Sequence, residues 1–149
     1  MFSTTPQPGK RPAVLGFYRN VSASTGVEEA SPHRLVSMLY QAVCGEIAAA
    51  RGALQRQDVL EKGRAIGHAV RILEEGLLAP LDMDAGGALA VNLRDLYQYM
   101  VYRLTIANLR SDDEALADCA NLARSLNDSW NAIAPQVAPQ AALPVQVAA

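Results

Sequence analysis

A chain of 149 residues, half of them hydrophobic, can bury a core without disulfides or bound metal, and a single domain is the expectation. Its formal charge of −2 offers no basic field to a phosphate backbone, which excludes nucleic acid as a partner. No uninterrupted apolar run of about 18 residues occurs, which argues against membrane insertion.

Only 5% of the residues are aromatic, and alanine and leucine dominate where a sheet protein would favour valine, isoleucine and tyrosine. The composition leans helical. Residues 1–12, with three prolines and a glycine, and residues 134–149, a mixture of Ala, Pro, Gln and Val, show no periodicity and are expected to be disordered. The start of the chain lacks the apolar run of a secretory signal, so a cytoplasmic protein is expected. Cys44 and Cys119, each set among apolar helix formers, read as unpaired core or groove residues of a reducing compartment.

Between the two ends lies a domain spanning residues 13–133. Residues 13–30 form a short helical or flexible segment that precedes a bundle. Ser31-Pro32 announces the first long helix, a serine N-cap followed by proline at the first helical position. Leu35, Leu39 and Ala42 mark one face and Val36, Val43, Ile47, Ala50 and Leu54 an adjacent one, so this helix is apolar over a wide arc to about Arg56.

Asp58 can cap the second helix, whose positions Val59, Gly63, Ile66, Val70, Leu73 and Leu77 keep helical spacing until Pro80. Gly63 and Gly67, four apart, permit close approach of a neighbouring helix. The stretch from Leu81 to Gly87 breaks the pattern, and the third helix is predicted to begin near Gly87 with the stripe Leu89, Leu93, Leu96, Met100, Leu104 and Ala107. Ser111-Asp112 ends it and caps a fourth helix carrying Leu116, Cys119, Leu122, Leu126, Trp130 and Ile133, closed by Pro135. Four amphipathic helices of roughly 30 to 38 Å with short links predict an all-α, antiparallel up-down four-helix bundle.

Chemistry is sparse. A di-iron site would need Glu-x-x-His pairs, and neither His33 nor His68 has a glutamate three residues before it, so both read as surface or flank residues. Gly86-Gly87 lacks the preceding strand and following Lys-Ser/Thr of a phosphate loop and reads as a turn. Cys44 has no histidine in helical reach, and the acidic pairs suit solvent faces and helix starts. Neither an enzyme nor a cofactor is expected. Tyr97, Tyr99 and Tyr102 cannot share one face at steps of about 100°. They read either as bundle edges with wet hydroxyls or as part of an apolar groove for a guest helix.

The run Ala30-Ser31-Pro32-His33-Arg34-Leu35-Val36-Ser37-Met38-Leu39-Tyr40 resembles the first-helix signature of FliS, the bacterial export chaperone family for flagellin. The resemblance continues in order through Leu81-Asp82, Gly86-Gly87, Asn92-Leu93, Leu96-Tyr97, Tyr99-Met100, Arg103-Leu104 and Ala107-Asn108 to Trp130, covering about residues 17–133. It implies a protein that binds the C-terminal segment of flagellin, prevents premature polymerisation and delivers its guest to a flagellar type III export gate component, as a monomer or weak homodimer. It also implies a groove cover at Tyr18, in the pair Phe17-Tyr18 before the first helix. Ile66, Val70, Leu73, Leu93, Leu96, Tyr97, Met100 and Leu104 become candidates for the groove or the core beneath it. Two departures stand out: Gln41 follows Tyr40 where an acidic residue is common in the family, and the Pro/Ala-rich tail after Ile133 is longer than the family needs. A generic helical adaptor or homo-oligomer, its groove filled by a second copy, is the alternative reading.

Overall fold

The computed structural model describes residues 31–133. These form four long helices with no strand among the described residues: α1 (Pro32–Gln55), α2 (Val59–Arg71) continued by a π-helical segment (Ile72–Leu78), α3 (Met83–Arg110) and α4 (Asp113–Ala132). The segments expected to be disordered, and the segment 13–30 with Tyr18, lie outside the described residues.

Each helix starts where a short polar side chain can satisfy free backbone amides. Ser31 Oγ accepts from the Arg34 amide at 3.1 Å and Asp58 Oδ1 from the Glu61 amide at 3.1 Å. Asp82 and Asp112 each accept two amides of the turn that follows. Such a cap is worth about 1 kcal/mol. Helix α1 ends through Gln57 and α3 through Ser111, both at positive φ.

Contacts between helix ends fix the antiparallel order. His33 at the start of α1 meets Trp130 at the end of α4, whereas Arg51 near the end of α1 pairs with Asp113 at the start of α4. Glu46 of α1 meets Arg64 and His68 of α2, and Lys62 of α2 reaches Asn108 and Ser111 at the end of α3. Helices α1 and α3 therefore sit diagonally, and each packs on α2 and α4.

The core runs the length of the bundle. Leu39, Val43 and Ile47 of α1, Ile66 and Leu73 of the second helix, Met100 and Leu104 of α3, and Leu116 and Cys119 of α4 are all closed to solvent. Cys119 and Cys44 are free thiols, as their surroundings suggested.

Three predicted features need correction. Helical structure resumes at Met83, under the Asp82 cap, ahead of the predicted start at Gly87; Gly87 interrupts it with φ 55° and ψ −135°, a conformation open essentially to glycine. Beyond that break, Leu89 is 67% exposed and lies outside the core stripe assigned to it. The second helix loses α geometry over its last seven residues, a π-helical stretch that carries it to Leu78.

Candidate protein-binding surface

The regular apolar stripe of the sequence turns inward. Ile66, Leu73, Tyr97, Met100 and Leu104 are buried among the other helices, which places them in the core of the bundle. Val70, Leu93 and Leu96 are half-buried against the same core and are the members of the candidate set open to solvent. Tyr18 lies outside the described residues.

The residues left for a partner are exposed apolar side chains that, except for Val59, fall off the predicted stripes; Val59, expected on the apolar face of the second helix, sits in its first turn and faces solvent. Leu60 is 87% exposed, Leu109 76%, Val59 69% and Tyr102 62%. They are neighbours by topology: Lys62 ties the first turn of α2 to the last turn of α3, donating to the Asn108 carbonyl at 3.0 Å and to Ser111 Oγ at 2.7 Å. Tyr102 and Leu109 are seven residues apart and so share the outward face of α3. On α2, Leu60, Gly63, Gly67 and Val70 fall within an arc of about 80° on the side facing α3. A Cβ at Gly63 would lie 4.0 Å from Asn108 Oδ1, and one at Gly67 would meet open space. Close helix approach thus explains Gly63 at most, and a side chain at Gly67 would meet open space on the exposed part of α2.

Sequence spacing missed Leu60 and Leu109 because it seeks residues that repeat with the core. A leucine displaced from that arc was the available signal. Of the three tyrosines, Tyr97 is buried with its hydroxyl against Tyr40, whereas Tyr99 and Tyr102 are exposed, Tyr99 donating to Asp118 at 3.0 Å.

The polar groups of the described residues tie the helices to one another. Ser37, buried on α1, donates to Asn131 Oδ1 at 3.0 Å. Burial pushes the Glu46 carboxyl up, but hydrogen bonds from His68 and Arg64 more than offset this and hold it below its ordinary value. Burial, with Asp118 adding to it, lifts the Cys119 thiol to about 11, and burial also raises Cys44. Neither is an activated nucleophile. Among the described residues no group of three or more His, Cys, Asp or Glu is placed to hold a metal ion. No described helix is long and apolar enough to cross a membrane.

Exposed leucines on the neighbouring ends of α2 and α3, with no metal-holding cluster among the described residues, suit contact with another chain. The family model described as "Flagellar protein FliS" matches residues 16–137. The chain belongs to the FliS family. It is 39% identical over 123 residues to the flagellar secretion chaperone FliS of Salmonella typhimurium, covering 83% of this chain and 91% of that protein. It is 40% identical over 116 residues to the flagellar secretion chaperone FliSB of Pseudomonas aeruginosa, covering 78% and 91%. With the Escherichia coli FliS chaperone it shares 35% over 113 residues, covering 76% and 83%. The FliS match takes in all four helices and extends upstream across Phe17 and Tyr18, while residues 138–149 lie beyond it.

Proposed function

We propose that this FliS-family chain is a cytoplasmic export chaperone that binds the C-terminal segment of flagellin, keeps it from polymerising prematurely and delivers it to the flagellar type III export apparatus. The observation that carries this reading is the exposed apolar surface that Leu60 of α2 and Tyr102 and Leu109 of α3 present. A guest segment that cannot bury its own apolar face gains that burial by lying there as an amphipathic helix.

The guest needs many modest apolar contacts and no reactive group, which fits a protein that turns over no small molecule. Val70, half-buried on α2, adds a contact at the edge of this surface, while Leu93 and Leu96 are half-buried against the core. Ile66, Leu73, Tyr97, Met100 and Leu104 keep the helices beneath at the right spacing. Tyr18, upstream of α1, serves as the cover of this face when no guest is present. One chaperone binds one guest.

Leu60→Asp and Leu109→Asp test the placement. Both side chains are exposed, so the bundle should keep its circular dichroism and melting behaviour, while affinity for a flagellin C-terminal peptide falls at least roughly tenfold, the loss of about 1.4 kcal/mol of apolar contact. Folded variants that bind with full affinity would move the guest off this face.

A further inference from the structure

At the opposite end of the bundle from Leu60 and Leu109 all four helices contribute to a second depression, a cleft of about 200 Å³. Val36 and Tyr40 of α1, Leu77 and Pro80 after the π-helical segment, Leu93 of α3 and Trp130 of α4 line most of it. Most of its polar groups are already engaged. The Tyr40 and Tyr97 hydroxyls bond each other, Trp130 Nε1 donates to the His33 carbonyl at 2.9 Å, and Asp82 Oδ1 accepts the Asp84 and Ala85 amides. What remains for an occupant is aromatic and aliphatic surface that rewards an uncharged ligand.

We infer that this cleft is the docking site of the chain's own C-terminal tail, residues 134–149. The chemistry matches first: the tail holds no ionisable side chain, no serine and no glycine, and sets Val137, Leu143, Val145 and Val147 among three prolines and three glutamines. A solvated tether is ordinarily charged or rich in Gly and Ser. Proline-bearing extended segments dock in grooves lined by aromatic rings because little conformational freedom is left to lose.

Geometry points the same way. Trp130 lies three residues before Ile133, where the tail begins, so Val137 and Pro139 return to the cleft through no more than about 20 Å of chain. The other stretch outside the described residues, 13–30, carries Arg19, Glu28 and Glu29, and its two carboxylates are a poorer match than an uncharged tail for a cleft whose one charged lining residue is Asp82. The tail also lies almost wholly past the family match, which ends at residue 137, so the docking is a feature of this chain and not one borrowed from its relatives. It stands independently of which protein the α2–α3 face binds.

Trp130 is the only tryptophan of the chain and reports on the cleft directly. Its fluorescence is compared in the full chain, in a form ending at Ala134, and in a full-length form with Val137→Asp, Leu143→Asp and Val145→Asp; circular dichroism checks that each remains folded. Loss of the tail should shift Trp130 emission to longer wavelength and raise its quenching by acrylamide. The charged tail should do the same, and a peptide of residues 135–149 at about millimolar concentration, the level a short tether supplies, should reverse the change in the truncated form. Unchanged emission and quenching in both variants overturns the inference. A response seen instead on deleting residues 1–30 would assign the cleft to the N-terminal segment.

Discussion

Tyr40 and Tyr97, on the two helices that sit diagonally across the bundle, meet hydroxyl to hydroxyl at 2.5 Å with both rings almost closed to solvent. This bond spans the bundle between elements that otherwise pack only on α2 and α4. Burial raises the Tyr40 hydroxyl above its ordinary value, and the bond to Tyr97 offsets part of that rise. Tyr97→Phe should cost about 1–3 kcal/mol, since it leaves a buried hydroxyl short of a partner. The double change with Tyr40→Phe should cost less than the two single changes summed, and urea unfolding of the three variants checks this. Strict additivity would mean that the two hydroxyls do not depend on each other.

Two carboxylates make stability fall in acid. Asp113, forked by Arg51 at 2.9 and 3.0 Å, is held below its ordinary 3.8, and Glu46 below its ordinary 4.5. Because the folded values lie below the unfolded ones, their contribution is complete above the ordinary range and is lost as pH falls through it. Melting temperature should therefore drop on acidification below about pH 4.5. Arg51→Gln should flatten the lower part of that curve. Its effect at neutral pH should stay under about 1 kcal/mol, because the pair is part-exposed and solvent-screened.

Thiol reactivity should separate the two cysteines. Cys119 is buried, with its thiol pushed up to about 11, and Cys44 is only half-buried. At pH 8 a disulfide reagent should label Cys44 slowly and Cys119 only on unfolding, giving one accessible thiol per folded chain. Rapid labelling of both would mean that the α1–α4 seam opens readily.

Backbone conformation gives opposite expectations at two positions. Gly87 takes φ 55° and ψ −135° at the break in α3, so Gly87→Ala should destabilise by about 1–3 kcal/mol. Gln57 is a non-glycine at φ 61° with an exposed side chain, and Gln57→Gly should stabilise by about 1 kcal/mol. Thermal melts of both variants check the two signs.

The bundle was legible in the sequence because caps and periodicity agree. Ser31-Pro32, Asp58 and Asp112 stand at helix starts, and the stripe from Leu93 to Ala107 faces the core as its spacing requires. The start of α3 was misplaced because glycines at 86 and 87 look like a turn, yet Gly86 sits inside the helical turn capped by Asp82, where a Cβ would come within 2.6 Å of Ala90. The proposed binding surface was the least legible part. Periodicity finds residues that repeat toward a core, whereas Leu60 and Leu109 have meaning only once α2 and α3 are side by side. His33 gave no signal at all: it stacks on Trp130 at a centroid distance of 4.7 Å, a partner 97 residues away.

Calorimetric titration of the full chain with a peptide covering the C-terminal segment of flagellin from the same organism tests the chaperone reading most directly. Tight one-to-one binding with a strongly negative heat-capacity change is expected, the signature of apolar burial coupled to folding of the guest. Absence of binding both in the full chain and after removal of residues 1–20, which would uncover the face assigned to Tyr18, would contradict it.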